Sequence, residues 1–196
     1  MLDDLNSMND ANLIEQFRNG NSDAFNLLVN RWQKPIYRFA FRYFGNPSEA
    51  DDITQKTFIK AYQKLELLND AEKFSPWLYR IAAHICIDQA RRNDRRKTSP
   101  LETWIESSEV ATSLTPDVTL EKSELGSLMQ KALLSIPDDQ RTVIILKEYE
   151  GLKFREIAEI LDESENTIKS RMYYGLKTLR RVFKKWNIEK EALNYE

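Results

Sequence analysis

The stretch LKFREIAEILDESENTIKSRMYYGLKTLRRVFKK, residues 152–185, reads as a helix, a three-residue turn and a second helix with a polar, cationic outer face. In the second helix Ile168, Met172, Leu176 and Leu179 fall at i, i+4, i+8 and i+11, one apolar stripe at the helical period. Opposite that stripe lie Asn166, Ser170, Tyr173 and Lys177, flanked by Lys169 and Tyr174. From Asn166 to Ile188 there are seven basic residues and no carboxylate. The whole chain holds 29 Lys and Arg against 31 Asp and Glu, so this bias is local. The first helix, residues 154–161, turns Ile157, Ala158 and Leu161 inward, and Asp162-Glu163-Ser164 supplies a turn and a cap ahead of Thr167. This is the pattern of a helix-turn-helix, in which the second helix reads base edges and the first braces the backbone. Taken alone, the same residues also fit an amphipathic hairpin with a solvated basic face.

Working outward, composition favours an all-α chain of two small helical domains. With 196 residues, 41% hydrophobic and 31% charged, there is material for one generous core or two small ones. Five glycines, six prolines and few β-branched alternations point to helix almost throughout. No stretch approaches a membrane span, and the start Met1-Leu2-Asp3-Asp4 is acidic where a signal peptide is basic, so the expected location is the cytoplasm, with no membrane insertion. The lone Cys86 sits among Ile81, Ile85 and Ile87 and reads as a core thiol. No Walker loop, paired histidine ligands, cysteine cluster or nucleophile–base motif occurs. We therefore expect no enzyme activity, no cofactor and no metal site.

Charge is segregated along the chain. Basic residues gather at Arg91-Arg92-Asn93-Asp94-Arg95-Arg96-Lys97 and again from Lys169 to Lys185. Between them, Thr98 to Glu121 carries Glu102, Glu106, Glu109, Asp117 and Glu121 and no basic residue. Residues 98–119 lack helical period and read as an acidic flexible linker. It separates a first domain, residues 9–97, from a second, residues 120–186.

Within the first domain, a short helix from Asn9 to Arg18 stops at Asn19-Gly20, and a long one runs from Ser22 to Phe44. Gly45 suits a C-terminal cap, and Asn46, Pro47 and Glu49 supply an N-cap, a first-turn proline and the returning carboxylate of a capping box. The helix from Pro47 to about Leu67 aligns Ile53, Thr57, Ala61 and Leu65 in one row and shows Asp52, Gln55, Lys56, Lys60 and Gln63 on its other face. Pro76 opens a helix carrying Trp77, Leu78, Ile81, Ala82 and Ile85. The aromatic residues Tyr37, Phe39, Phe41, Tyr43 and Phe44 read as core and helix packing. In the second domain Leu125, Leu128, Met129, Leu133 and Ile136 share a face, and Pro137-Asp138 starts the next helix.

Three motifs together resemble the extracytoplasmic-function group of bacterial RNA polymerase sigma factors: Glu49-Ala50-Asp51-Asp52-Ile53-Thr54-Gln55, then Phe74 through Ala82 running into Asp88 and Arg91-Arg92, then Ile136-Pro137-Asp138 through the helix-turn-helix. The resemblance implies a subunit that directs core RNA polymerase to promoter DNA. It implies that the first domain binds the polymerase clamp through Asp51, Asp52, Gln55, Lys56 and Lys60, with Lys56 departing from the acidic residue usual there. It also implies a pocket for an unstacked base and a path for the melted strand at Lys73, Phe74, Ser75, Arg80, His84, Arg91 and Arg92. His84 stands where asparagine is usual, so its base preference is expected to differ. Its flanks Ala83 and Ile85 fit a core histidine equally well.

For the second domain the resemblance places Ser170, Tyr173 and Tyr174 at major-groove bases, and Asn166, Thr167, Lys169, Arg171 and Lys177 mainly at phosphates. Tyr173-Tyr174 replaces a pair that usually includes a basic residue, and Leu176 stands where a basic residue is frequent. An anti-sigma factor is the further partner implied, and the free protein is expected to be a monomer whose two domains can pack together. Two other readings stay open on the residues alone. One is an autonomous helix-turn-helix regulator with an N-terminal helical sensor or dimerisation domain. The other is a helical scaffold that binds only protein, which leaves both basic segments unexplained.

Overall fold

The computed structural model describes residues 8–97 and 124–186, and among these every regular element is helical. The first module holds α1 (Asp10–Arg18), α2 (Ser22–Phe44), α3 (Pro47–Lys64) and α4 (Phe74–Lys97), with two 3₁₀ turns, Leu65–Leu67 and Ala71–Lys73, between α3 and α4. The second holds α5 (Glu124–Leu134), α6 (Asp138–Ile144), α7 (Phe154–Leu161) and α8 (Glu165–Lys185). The expected linker, the start of the second domain near Leu120 and the segment from Asn187 to Glu196 lie outside the described residues.

Local chemistry sets most boundaries. The side chains of Asn9, Asn21 and Asn46 accept from the N–H groups of Asn12, Asp23 and Glu49 at the starts of α1, α2 and α3. Gly45 ends α2 in the left-handed region at φ 69°, its N–H donating to Phe41 O at 2.7 Å. The Glu49 carboxylate, expected to return to its own cap, instead accepts from Asn93 Nδ2 of α4 at 2.9 Å. The helix expected to open at Pro76 begins earlier, at Phe74, because the 3₁₀ turn capped by Asp70 runs directly into it.

The predicted row Ile53, Thr57, Ala61 and Leu65 is fully buried, and the three apolar members belong to one core with Leu13, Ile14, Leu28, Phe39 and Tyr43 of α1 and α2. Burial on this scale contributes about 1.5–3 kcal/mol per large apolar side chain. Cys86 is part of the same core, where burial pushes its thiol pKa up.

The second module corrects two inward-facing residues. Along α8 the buried stripe is Ile168, Met172, Gly175 and Leu179, and Leu176 is 47% exposed. The reason is the close crossing of α6: a Cβ placed on Gly175 would lie 2.7 Å from Ile144 Cδ1, so the contact position takes the residue without a side chain. In α7, Ile160 is buried and Leu161, expected inward, is only half-buried. Val143 to Leu146 are all buried, and α6 continues into a π turn, Ile145–Tyr149, closed by Glu150 N–H on Ile145 O at 3.2 Å.

The two modules dock through the C-terminal end of α2. A helix leaves its last carbonyls without intrahelical donors, and here the second module supplies them. Gln130 Nε2 donates to Phe41 O at 3.2 Å and to Arg42 O at 3.1 Å, and Arg141 Nη1 donates to Tyr43 O at 2.9 Å. The same guanidinium serves the end of α5, with Nε on Leu133 O at 2.8 Å and Nη2 on Ile136 O at 3.0 Å and Leu134 O at 3.3 Å. It also pairs with Asp138 at 3.1 Å and lies over the Tyr43 ring. A buried cation at two helix C-termini is favoured by both macrodipoles.

Arg141→Ala strands these carbonyls, so we predict a loss of roughly 3 kcal/mol or more in denaturant unfolding. Arg141→Lys recovers only part of it, because one ammonium cannot span a planar fork of acceptors.

Candidate nucleic-acid interface

The turn between α7 and α8 follows its sequence chemistry. Asp162 ends α7 in the left-handed region at φ 55°, and Ser164 Oγ accepts from Thr167 N–H at 3.1 Å to start α8. This aims the outer face of α8 at solvent: Asn166, Lys169, Ser170, Tyr173, Tyr174 and Lys177 are all exposed. Tyr173 and Tyr174 are 62% and 56% exposed, with their rings edge to face at 5.4 Å between centroids. Thr167 is half-buried, and its hydroxyl is within 2.9 Å of Ser164 Oγ, so it belongs to the cap. Lys169 pairs with Glu165 at 3.1 Å.

Arg171, expected at a phosphate, is instead held inward. Its guanidinium pairs with Glu163 of the turn at 2.8 Å and with Asp139 at the start of α6 at 3.3 Å. That arrangement ties α8 to the elements before it and engages the charge internally. Leu176, by contrast, stands on the outer face. The spacing Ile168, Met172, Gly175 and Leu179 is the one signal for it in the sequence, and it is a weak one because a glycine carries no apolar weight in a periodicity count.

In the first module Lys73, Arg80, His84, Arg91 and Arg92 are exposed and Ser75 is half-buried. Arg80, His84 and Arg91 follow one face of α4 at i, i+4 and i+11. His84 is thus a surface residue, its Nδ1 2.7 Å from Arg80 O, and the core-histidine reading does not hold. Phe74, expected at the DNA, is 1% exposed. Its ring packs between Trp32 and Trp77, with centroids 6.1 and 5.9 Å away, because the first residue of α4 turns into the core. A cleft of about 330 Å³ opens beside it, bounded by Asn69, Lys73, Trp77 and Arg80 on one side and by Glu159 and Ile160 of α7 on the other. A second cleft, about 700 Å³, lies between His84, Asp88 and Arg91 and the residues Asp139, Glu163 and Arg171 of the second module.

On α3, Asp52, Gln55, Lys56 and Lys60 share the exposed face, and Asp51 is half-buried at its edge. Lys56 pairs with Asp52 one turn away, so the departure from an acidic residue neutralises the neighbouring carboxylate. Ile59, 58% exposed, adds an apolar spot that the polar reading of this face did not include.

The inter-module contact that sequence reasoning missed is Tyr79–Glu150–Arg42. The Tyr79 hydroxyl donates to Glu150 Oε2, and Arg42 Nη1 is 3.6 Å from Glu150 Oε1 and lies over the Tyr149 ring at 4.4 Å. Burial, then the neighbouring Glu150, push the Tyr79 phenol pKa up, which keeps it a donor. Burial also raises the Glu150 carboxyl above its ordinary range, against the lowering effects of the Tyr79 hydrogen bond and of Arg42 and Arg38. These residues are far apart in sequence and follow no local motif. Among the described residues no cluster of His, Cys, Asp and Glu could hold a metal ion.

Residues 28–96 match the family of sigma-70 region 2, and residues 127–179 match sigma-70 region 4. The chain is 36% identical over 174 residues to the ECF RNA polymerase sigma factor SigW of Bacillus subtilis, covering 86% of this chain and 93% of that protein. It is 34% identical over 172 residues to the ECF RNA polymerase sigma-E factor of Haemophilus influenzae, covering 85% and 90%. Among solved structures it is similar to the sigma factor RpoE of Bartonella quintana in complex with the anti-sigma factor NepR, with a TM-score of 0.63 at 26% identity over 81% of this chain and 93% of that one. CnrH, solved with the cytosolic domain of CnrY, shares the fold, with a TM-score of 0.64 at 24% identity over 89% and 97%.

The raised Glu150 carboxyl gives the docking a pH dependence of definite sign. The docked state takes up a proton at Glu150 more readily than the undocked one. This group's contribution is therefore complete below the ordinary carboxylate pKa and is lost as pH rises through the raised one. Small-angle scattering between about pH 4 and pH 8 is predicted to show looser docking as pH rises, and Glu150→Gln is predicted to flatten that change.

Proposed function

The chain belongs to the extracytoplasmic-function sigma factors of RNA polymerase, and from that membership we propose that it directs core polymerase to specific promoters and initiates transcription, with no covalent chemistry of its own. The observation that carries this reading is the outer face of α8. It presents Ser170, Tyr173, Tyr174 and Lys177 to solvent on a capped, rigid helix that fits a major groove.

The second module, residues 120–186, reads the distal promoter element. Ser170, Tyr173 and Tyr174 contact base edges, and Asn166, Lys169 and Lys177 contact phosphates. Arg171 holds the helix in place through Glu163 and Asp139, and Thr167 secures its start. The first module, residues 9–97, binds the polymerase clamp with Asp51, Asp52, Gln55, Lys56 and Lys60, and takes the melted proximal element with Lys73, Ser75, Arg80, His84, Arg91 and Arg92. Phe74 shapes that loop from beneath. An anti-sigma factor is a partner of the same reading, supported by the complex in which the Bartonella quintana relative was solved. No helix among the described residues is long and apolar enough to cross a membrane.

The test is transcription by core polymerase from a random-promoter library, with and without the protein, sequencing each start. Starts that depend on the protein and share two spaced upstream elements are expected. Tight binding to palindromic duplex by the protein alone, with no dependent start, would instead make it an autonomous regulator. In the same assay Tyr173→Ala is predicted to cost about 1–3 kcal/mol of discrimination at one distal base pair. Lys177→Ala is predicted to weaken all promoters alike and to lower the salt slope by about one.

A further inference from the structure

Leu176 is the exposed residue of α8 that the assignments above leave without a task. It stands on the outside of a helix assigned to the major groove, is 47% exposed, and follows Tyr173 at i+3, so the two side chains are neighbours on one face. It cannot turn inward. The buried line of α8 runs through Gly175, where an added Cβ would lie 2.7 Å from Ile144 Cδ1 and 3.3 Å from Gln140 Cβ. That close crossing fixes the rotation of the helix and keeps the leucine outside. Beside it Tyr173 and Tyr174, 62% and 56% exposed, hold each other edge to face at 5.4 Å, which limits the positions each ring can take.

The surroundings of this apolar patch identify its partner. Lys169, Lys177 and Arg180 are exposed around it, and from Asn166 to the end of α8 at Lys185 there is no carboxylate. Such a surface suits a polyanion better than an apolar protein face. A leucine offers a phosphate nothing. Among the base edges in a major groove only thymine presents a methyl group, on its C5, and the other edges are dominated by hydrogen-bond donors and acceptors. Pressing Leu176 against one of those strips its water and returns no hydrogen bond. The side chain therefore rewards a methyl and penalises its absence.

We propose that Leu176 is a specificity-determining residue: it contacts the C5 methyl of a thymine in the distal promoter element, at a base pair next to the one met by Tyr173. This rests on the reading of α8 as the helix that enters the distal element. The element recognised by this chain therefore holds a thymine at one fixed position, chosen by its methyl and not by its hydrogen bonds. An arginine or lysine at the same place would reach a phosphate or a guanine. A leucine exchanges that salt-dependent contact for selection of T·A.

The test uses core polymerase with the full chain, wild type or Leu176→Ala, on the protein-dependent promoters recovered from the random library. Each thymine of the distal element is replaced in turn by deoxyuridine, which removes the methyl and keeps the pairing, and holoenzyme binding is measured by competition. With wild type, one replacement is expected to weaken binding about fourfold, the worth of one buried carbon. With Leu176→Ala the intact promoter is expected to bind more weakly, and the same replacement to have no further effect, so that the two changes are not additive. If Leu176→Ala fails to fold by circular dichroism, Leu176→Arg serves in its place with the same expectation for deoxyuridine. A distal element without thymine, or one whose thymines all tolerate deoxyuridine, overturns the methyl contact. The reading of α8 then still stands, because changes to the element's base pairs still abolish binding. Equal sensitivity to deoxyuridine in wild type and variant assigns the methyl to another side chain and overturns the role of Leu176. Promoters that share no distal element remove the reading of α8 and this inference with it.

Discussion

The end of α2 is the constraint around which this molecule is arranged. A helix of 23 residues finishes at Phe44 with carbonyls at Phe41, Arg42 and Tyr43 that need donors. Gly45 turns the chain away and supplies one N–H, and Gln130 and Arg141 supply the rest from the other module. Because Arg141 also closes the end of α5, the second module's own fold and its seating on the first depend on one guanidinium. The cation stays charged in the interior because its surroundings are helix ends and the face of Tyr43, all of them electronegative.

Much of this was legible in the chain. The asparagine caps, the Gly45 stop, the row Ile53, Thr57, Ala61 and Leu65, and the Asp162-Glu163-Ser164 turn are all decided within a few residues, where spacing and propensity act. The misreadings share one cause, which is contact with a distant element. Leu176 looks inward by a 3.6 period, but the close approach of Ile144 to Gly175 shifts the buried line by one residue. Phe74 sits in a motif associated with DNA yet fills a gap between two tryptophans, and Arg171 looks like a phosphate contact until Asp139, 32 positions earlier, is brought beside it. Of the site, the exposed face of α8 and the cationic face of α4 follow from helical geometry. The cluster that joins the modules does not, because Tyr79, Glu150 and Arg42 carry no local pattern.

The outer face of α8 is chemically unusual for its charge. Its basic residues flank it, while the centre holds two exposed phenol rings and Leu176. Such a surface is suited to methyl groups and ring edges at least as well as to hydrogen bonding. Glu165 favours the helix dipole at the start of α8, and its pairing with Lys169 limits the repulsion it would offer to a backbone phosphate.

The π turn at Ile145–Tyr149 amounts to a single residue added to a regular helix. A one-residue deletion there would let the helix run on in ordinary α register and rotate everything after it by about 100°. Glu150 would swing off Tyr79, while every residue of α8 kept its identity. Between homologous chains, then, a change in segment length at this point would separate the modules as effectively as any change of side chain, and an alignment that closed the gap silently would hide the difference.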